Sequence, residues 1–179
     1  MNTGLELGYR NASLWSSFSL LLVIADQWTK TWAEGALEIG DPIYVSSVLN
    51  FALAYNEGAA FSFLNDAGGW QRWLLTSISL VASVVLFIWI ARCQANQRWV
   101  PCALTWILGG AIGNLIDRAS TGRVVDFIQF HWNDAYFPTF NIADTAITIG
   151  AIMLVIDMLF FAQAVGAEKE QSNGNSTVG

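Results

Sequence analysis

The feature that most constrains this chain is a set of long stretches without a charged side chain. Residues 11–25, 73–91 and 99–116 carry none, and residues 135–167 carry only Asp144 and Asp157. Two of these approach the roughly 20 residues needed to cross a ~30 Å hydrocarbon core, and the other two reach that length only by taking in charged residues. Backbone inside hydrocarbon must satisfy its own hydrogen bonds, so each stretch predicts a helix. The expected limits are residues 13–32, 70–92, 99–118 and 141–165, a membrane all-α bundle of four transmembrane helices with both termini on one side.

Composition agrees: 54% hydrophobic against 12% charged residues in a chain of 179 is far from the balance of a soluble domain. The net charge of -6 argues against nucleic acid and anionic lipid headgroups as partners, since neither attracts an acidic surface. Residues 1–167 read as one membrane unit, and the polar residues 168–179, without periodicity, read as a disordered tail. A cleaved leader is the other reading of the first stretch, but it has only Arg10 before it and runs on into Asp26, Gln27, Trp28, Thr29 and Lys30 instead of a small-residue cleavage site. It reads as a retained helix.

Tryptophans support the limits. Trp15, Trp89 and Trp99 fall at the ends nearest the termini, and Trp28, Trp32, Trp70 and Trp73 at the opposite ends, where indoles prefer the interface. Charge does not orient the bundle, because Arg10, Arg92, Arg98 and Lys169 on one side balance Lys30, Arg72, Arg118 and Arg123 on the other. Cys93 and Cys102 read as two reduced thiols near the second connection.

Between the first two helices, residues 36–66 are too short and too polar to span. Residues 43–45 and 48–55 are rich in β-branched and aromatic side chains after an Asp41-Pro42 turn signal, which predicts a small extracytoplasmic sheet. Residues 119–140 read as a second loop on that face, with His131 a polar loop residue.

Ionisable groups at membrane depth are costly and need a partner or a purpose. Asp26 and Lys30 are spaced i, i+4 and can pair on one helix face. Gly109 and Gly113 form a small-xxx-small face for close packing, and Asn114 and Arg118, again i, i+4, share a face that can hold a carboxylate. A single acid, Asp126, sits in the apolar run of residues 124–128, and Asp144 follows Asn141 by three. Asn141 as N-cap with Asp144 at N3 would simply start a helix, a placement worth about 0.3 to 1 kcal/mol. Depth argues for more. Thirteen residues separate Asp144 from Asp157, roughly 20 Å of helix, so with Asp157 at the inner interface Asp144 lies below the outer one. Two carboxylates brought together there share a proton, one accepting from water and the other donating to a scissile carbonyl oxygen. His131 is the only histidine, so His-based metal sites and Ser-His triads lack material and no cofactor is expected.

Five motifs, in order over residues 13–165, resemble the lipoprotein signal peptidases of bacteria, also called signal peptidase II. They are residues 26–30 (DQWTK), 56–62 (NEGAAFS), 109–118 (GGAIGNLIDR), 124–128 (VVDFI) and 140–145 (FNIADT). The resemblance implies an aspartyl endopeptidase with Asp126 and Asp144 as the catalytic dyad, and Asp26, Lys30, Asn56, Gly58, Asn114, Arg118 and Asn141 lining or bracing the site. It also implies four helices with a small extracytoplasmic β-cradle in the bacterial inner membrane, both termini cytoplasmic. The implied substrates are prolipoproteins cut just before a diacylglyceryl-modified cysteine, and the implied inhibitor is the cyclic peptide globomycin. The tail departs from the pattern, since Glu168, Lys169 and Glu170 make it acidic where a cytoplasmic end is usually basic.

Two other classes compete. A small oligomeric proton-coupled transporter or channel would use Asp26, Asp144 and Asp157 as a relay. A scaffold without activity would use Gly109 and Gly113 for packing and leave Asp126 without a purpose.

Overall fold

The structure is a computed structural model that describes residues 3–58, 69–94 and 96–161. In chain order it comprises α1 (Thr3–Ala36), β1 (Ile43–Ser46), β2 (Leu49–Asn56), α2 (Trp70–Arg92), α3 (Trp99–Ser120), β3 (Val124–Trp132), β4 (Ala135–Tyr136) and α4 (Ile142–Ile156), which widens into a π-helical turn at Asp157–Phe161. Among the described residues three helices are long and apolar enough to cross a membrane: Trp70–Arg92, Trp99–Ser120 and Ile142–Phe160. The chain is a membrane protein of helices with a small antiparallel sheet.

The central element is α3, which packs against all three other helices. Small residues make that possible. A Cβ on Gly109 would stand 2.8 Å from Leu22 Cβ of α1, and one on Gly110 would collide with the Ala143 carbonyl of α4. Gly150 of α4 meets the Ala103 carbonyl of α3 in the same way, at 2.5 Å. Bilayer offers little hydrophobic drive between helices, so such backbone approach replaces it. Gly110→Ala is expected to lower stability by about 1–3 kcal/mol through forced separation of α3 from α4, read as a lower unfolding midpoint in detergent. By contrast α2 turns Val81, Val84, Val85 and Phe87 outward, as a lipid-facing surface does.

Helix α1 runs past the expected end at residue 32 to Ala36. Its last turns have a reason to continue, because Ala33 and the following Leu37 are buried with Leu53, Val125 and Phe127 under the sheet. The sheet has the order β1-β2-β3-β4, all antiparallel. Its first two strands lie inside the expected β region, whereas β3 and β4 occupy the segment expected as a loop. Asp126 and His131 are therefore strand residues, the latter stacked on Tyr136. The apolar run around Asp126 forms a strand because β2 supplies a partner some seventy residues earlier in the chain, pairing Asn56 with Val124 and Ala54 with Asp126.

The turn from α3 into β3 is fixed by Arg72 of α2. Its guanidinium donates from Nε to the Arg118 carbonyl at 3.0 Å and from Nη2 to the Ala119 carbonyl at 2.7 Å, capping the end of α3. Gly122 lies beneath that guanidinium at φ 85°, where a Cβ would meet Arg72 Cδ at 2.9 Å. Cys93 and Cys102 are free thiols. The expected end of the fourth helix beyond residue 161, the tail 168–179 and residues 59–66 of the expected β region lie outside the described residues.

Candidate active site

The fold gathers acids and amides at the sheet end of the bundle. From α1 come Asp26, Gln27 and Lys30, from α3 Asn114, Asp117 and Arg118, from the sheet Asn56 and Asp126, and from the start of α4 Asn141 and Asp144. Asn141 has no exposed surface, and Asp26, Lys30 and Asp126 are all at 3% exposure or less. At that burial every polar atom needs a partner.

Asn141 joins the two candidate acids. Its backbone N–H and side-chain oxygen form a capping box with Asp144: Asp144 N donates to Asn141 Oδ1 at 2.9 Å, and Asn141 N donates to Asp144 Oδ2 at 3.3 Å. The helix-start reading is thus correct as far as it goes. The same side chain then turns its amide to Asp126 Oδ1 at 2.7 Å. Two longer contacts of that nitrogen, to the Val125 carbonyl at 3.3 Å and Asn114 Oδ1 at 3.4 Å, compete for its second hydrogen. Asn114 Nδ2 donates to the other acid, Asp144 Oδ1, at 2.8 Å.

Asn56 hydrogen-bonds Asp126 as well, which the register explains. Ala54 stands opposite Asp126, so Asn56 is two residues along the same face, the diagonal position across an antiparallel pair. The Asn56 oxygen meanwhile accepts the Gly58 N–H at 3.0 Å and fixes the bend after β2. Arg118 donates from Nη2 to the Gly58 carbonyl at 3.1 Å, while the Asp144, Asp126 and Asp117 carboxylates act on it through space. Its guanidinium is thus tethered to the bend, and its charge faces the acids. The rest of the second motif, residues 59–62, lies outside the described residues.

Lys30 pairs with Asp26 at 2.8 Å, as its spacing predicts, and also with Asp117 at 2.9 Å. Its third hydrogen reaches Asn114 Oδ1 at 3.1 Å. Asp117 and Gln27 belong to this network although neither was singled out from the sequence; Gln27 Nε2 donates to Asp117 Oδ1 at 2.8 Å. The available signal is that Asp117 is the one acid of its span, with one basic neighbour, Arg118, whose spacing does not let the two meet on one helix face.

Electrostatics single out Asp126. Burial first, and then the Asp144 carboxylate nearby, push the Asp126 carboxyl up to about 7, against the hydrogen bonds from Asn141 and Asn56 and the Lys30 charge that pull it down. Near neutral pH Asp126 therefore exchanges a proton readily. A buried acid poised in this way beside a second one can serve as an acid or a base.

The family model described as Signal peptidase (SPase) II matches residues 18–160. The chain belongs to the signal peptidase II family. Among curated relatives, the lipoprotein signal peptidase of Acinetobacter baylyi is 48% identical over 157 residues, 88% of each chain. That of Pseudomonas fluorescens is 52% identical over 146 residues, 80% of this chain and 86% of the relative. A solved bacterial membrane enzyme, determined by the in meso method at 2.3 Å resolution, superposes with a TM-score of 0.73 at 34% identity, over 82% of this chain and 88% of the other. A second, at 1.9 Å resolution, gives 0.71 at 33% identity over 83% and 94%. Signal peptidase II membership makes the chain a peptidase and takes the place of the transporter and scaffold readings.

Proposed function

We propose that this chain is an aspartyl endopeptidase that removes signal peptides from diacylglyceryl-modified prolipoproteins, cutting just before the lipidated cysteine. The observation that carries the reading is Asn141, which bonds Asp126 with its amide and Asp144 through the capping box, so that two carboxylates share one neighbour at the end of the bundle. The curated relatives' name, lipoprotein signal peptidase, supports the substrate class.

In this mechanism one aspartate is protonated and the other ionised. The ionised carboxylate takes a proton from a water as its oxygen attacks the scissile carbonyl carbon, while the protonated one donates to the carbonyl oxygen. Collapse of the tetrahedral intermediate returns the proton from that oxygen to the aspartate that donated it, and the proton taken from water passes from the other aspartate to the leaving nitrogen. No metal or cofactor enters. Asn56, Gly58, Asn114 and Arg118 bind or brace, and the Arg118 charge favours the partial negative charge on the carbonyl oxygen as the proton reaches it. Globomycin-like cyclic peptides would bind at the same pair of acids.

In its topology α1 also spans the membrane and brings the number of transmembrane helices to four, residues 1–167 form one peptidase unit, both termini are cytoplasmic, and the site faces the outer surface of the bacterial inner membrane. Trp28, Trp32, Trp70 and Trp73, all well exposed at the sheet end, support that interface. A lipidated cysteine anchored in the outer leaflet then holds the scissile bond at the depth of the dyad.

The pH dependence follows from Asp126. The singly protonated pair is the working form, so kcat/KM is expected to fall as pH rises through about 7. Stability has the same direction: a folded-state value raised from 3.8 gives a contribution that is complete below 3.8 and is lost as pH climbs through about 7. A rate profile flat from about pH 6 to 9 in a purified preparation contradicts the dyad.

A further inference from the structure

Asp26 and Asp117, the two acids gathered at the site that the proposed reaction does not use, are both buried and both bound by the Lys30 ammonium. Each also accepts one backbone N–H from a different element. Asp26 Oδ1 takes that of Ala143 at 2.9 Å, and Asp117 Oδ2 takes that of Val125 at 3.2 Å. Ala143 directly precedes Asp144, and Val125 directly precedes Asp126. Gln27 closes the figure, its amide donating to Asp26 Oδ2 at 3.2 Å and to Asp117 Oδ1 at 2.8 Å.

We propose that Asp117 is a positioning residue for cleavage: Lys30 and Gln27 hold it at a fixed distance from Asp26, and the two acids, through the N–H groups of Val125 and Ala143, set the spacing of the Asp126 and Asp144 carboxylates. This rests on the dyad reading above. Hydrogen bonds to charged acceptors are the strong ones, and working groups must be held within about 0.5 Å, so a charged brace one residue from each acid is well placed to control their separation. Gly113 makes room for it, since a Cβ there would stand 2.5 Å from Asp26 Oδ2. The charged groups facing Asp126 are Asp144 from α4, Lys30 from α1 and Arg118 from α3, so a change in dyad spacing reads out on its titration.

A merely structural ion pair would change how much protein folds and leave each folded molecule as active as before. The test is cleavage of a lipidated prolipoprotein peptide by the purified full chain, normalised to folded protein, over about pH 5 to 9. Asp117→Asn is expected to lower kcat about 10- to 100-fold with KM little changed, and to move the alkaline limb to lower pH, because a wider pair repels less. Gln27→Met keeps every charge and is expected to shift both in the same direction by less. Wild-type kcat with an unmoved limb in Asp117→Asn overturns the proposal; if that variant does not fold, the same result in Gln27→Met does so. Asp126→Asn and Asp144→Asn run alongside. Cleavage surviving in either removes the dyad reading itself, whereas both inactive with Asp117→Asn unaffected removes the brace alone.

Discussion

Asp126→Asn and Asp144→Asn each lower prolipoprotein cleavage by about 10²–10⁴-fold or more, the range that a positioned acid or base contributes, while the protein still folds in the membrane. An amide fills the same space as a carboxylate and keeps one acceptor. Asp126→Asn therefore still offers an oxygen to the Asn141 amide, now 2.7 Å from Asp126 Oδ1, and Asp144→Asn still offers one to Asn114 Nδ2, now at 2.8 Å. Each variant loses the shared proton, and Asp144→Asn also loses the second oxygen, which accepts the Asn141 N–H at 3.3 Å. Because the acids act as a unit, the double variant is expected to be hardly slower than either single one, which rate measurements on all three decide. Additive losses would mean that the two carboxylates work on separate steps.

Lys30→Met has the largest expected effect on stability. The ammonium is 3% exposed and sits between the Asp26 and Asp117 carboxylates. Its removal leaves two buried acids without a counter-charge, and breaking a buried pair in that way typically costs about 3–5 kcal/mol. A much lower unfolding midpoint is expected, together with slower turnover, since Lys30 bonds Asn114 and through it reaches Asp144. The loss should shrink at low pH, where the stranded acids take up protons. A midpoint equal to that of the wild type would show that the cluster is stable without its cation.

Much of this was legible from residue order alone, for physical reasons that differ by element. Helices α2 and α3 follow from charge-free stretches, because hydrocarbon leaves the backbone no alternative. The Asp26–Lys30 pair and the Asn141–Asp144 capping box follow from helical spacing, since their partners lie within one turn. What depends on distant chain was harder to see. Strand β3 resembles a loop until β2 is brought beside it, and α1 continues to Ala36 only because Leu53 and Phe127 cover its last turn. Asp117 and Gln27 acquire their partners only when α3 lies against α1 and β3, a consequence of packing that neither helix's own pattern contains. Arg118 has the direction but not the contact expected of it: it faces the acids, yet its hydrogen bond goes to the Gly58 carbonyl, supplied by a bend some sixty residues earlier.

The most direct test of the central claim is cleavage of a lipidated prolipoprotein peptide by the purified chain in detergent, with and without a metal chelator, beside Asp126→Asn. The dyad account predicts cleavage at the bond before the lipidated cysteine, undiminished by chelation and absent from the variant. Cleavage lost on chelation and restored by metal, or retained by Asp126→Asn, would contradict it.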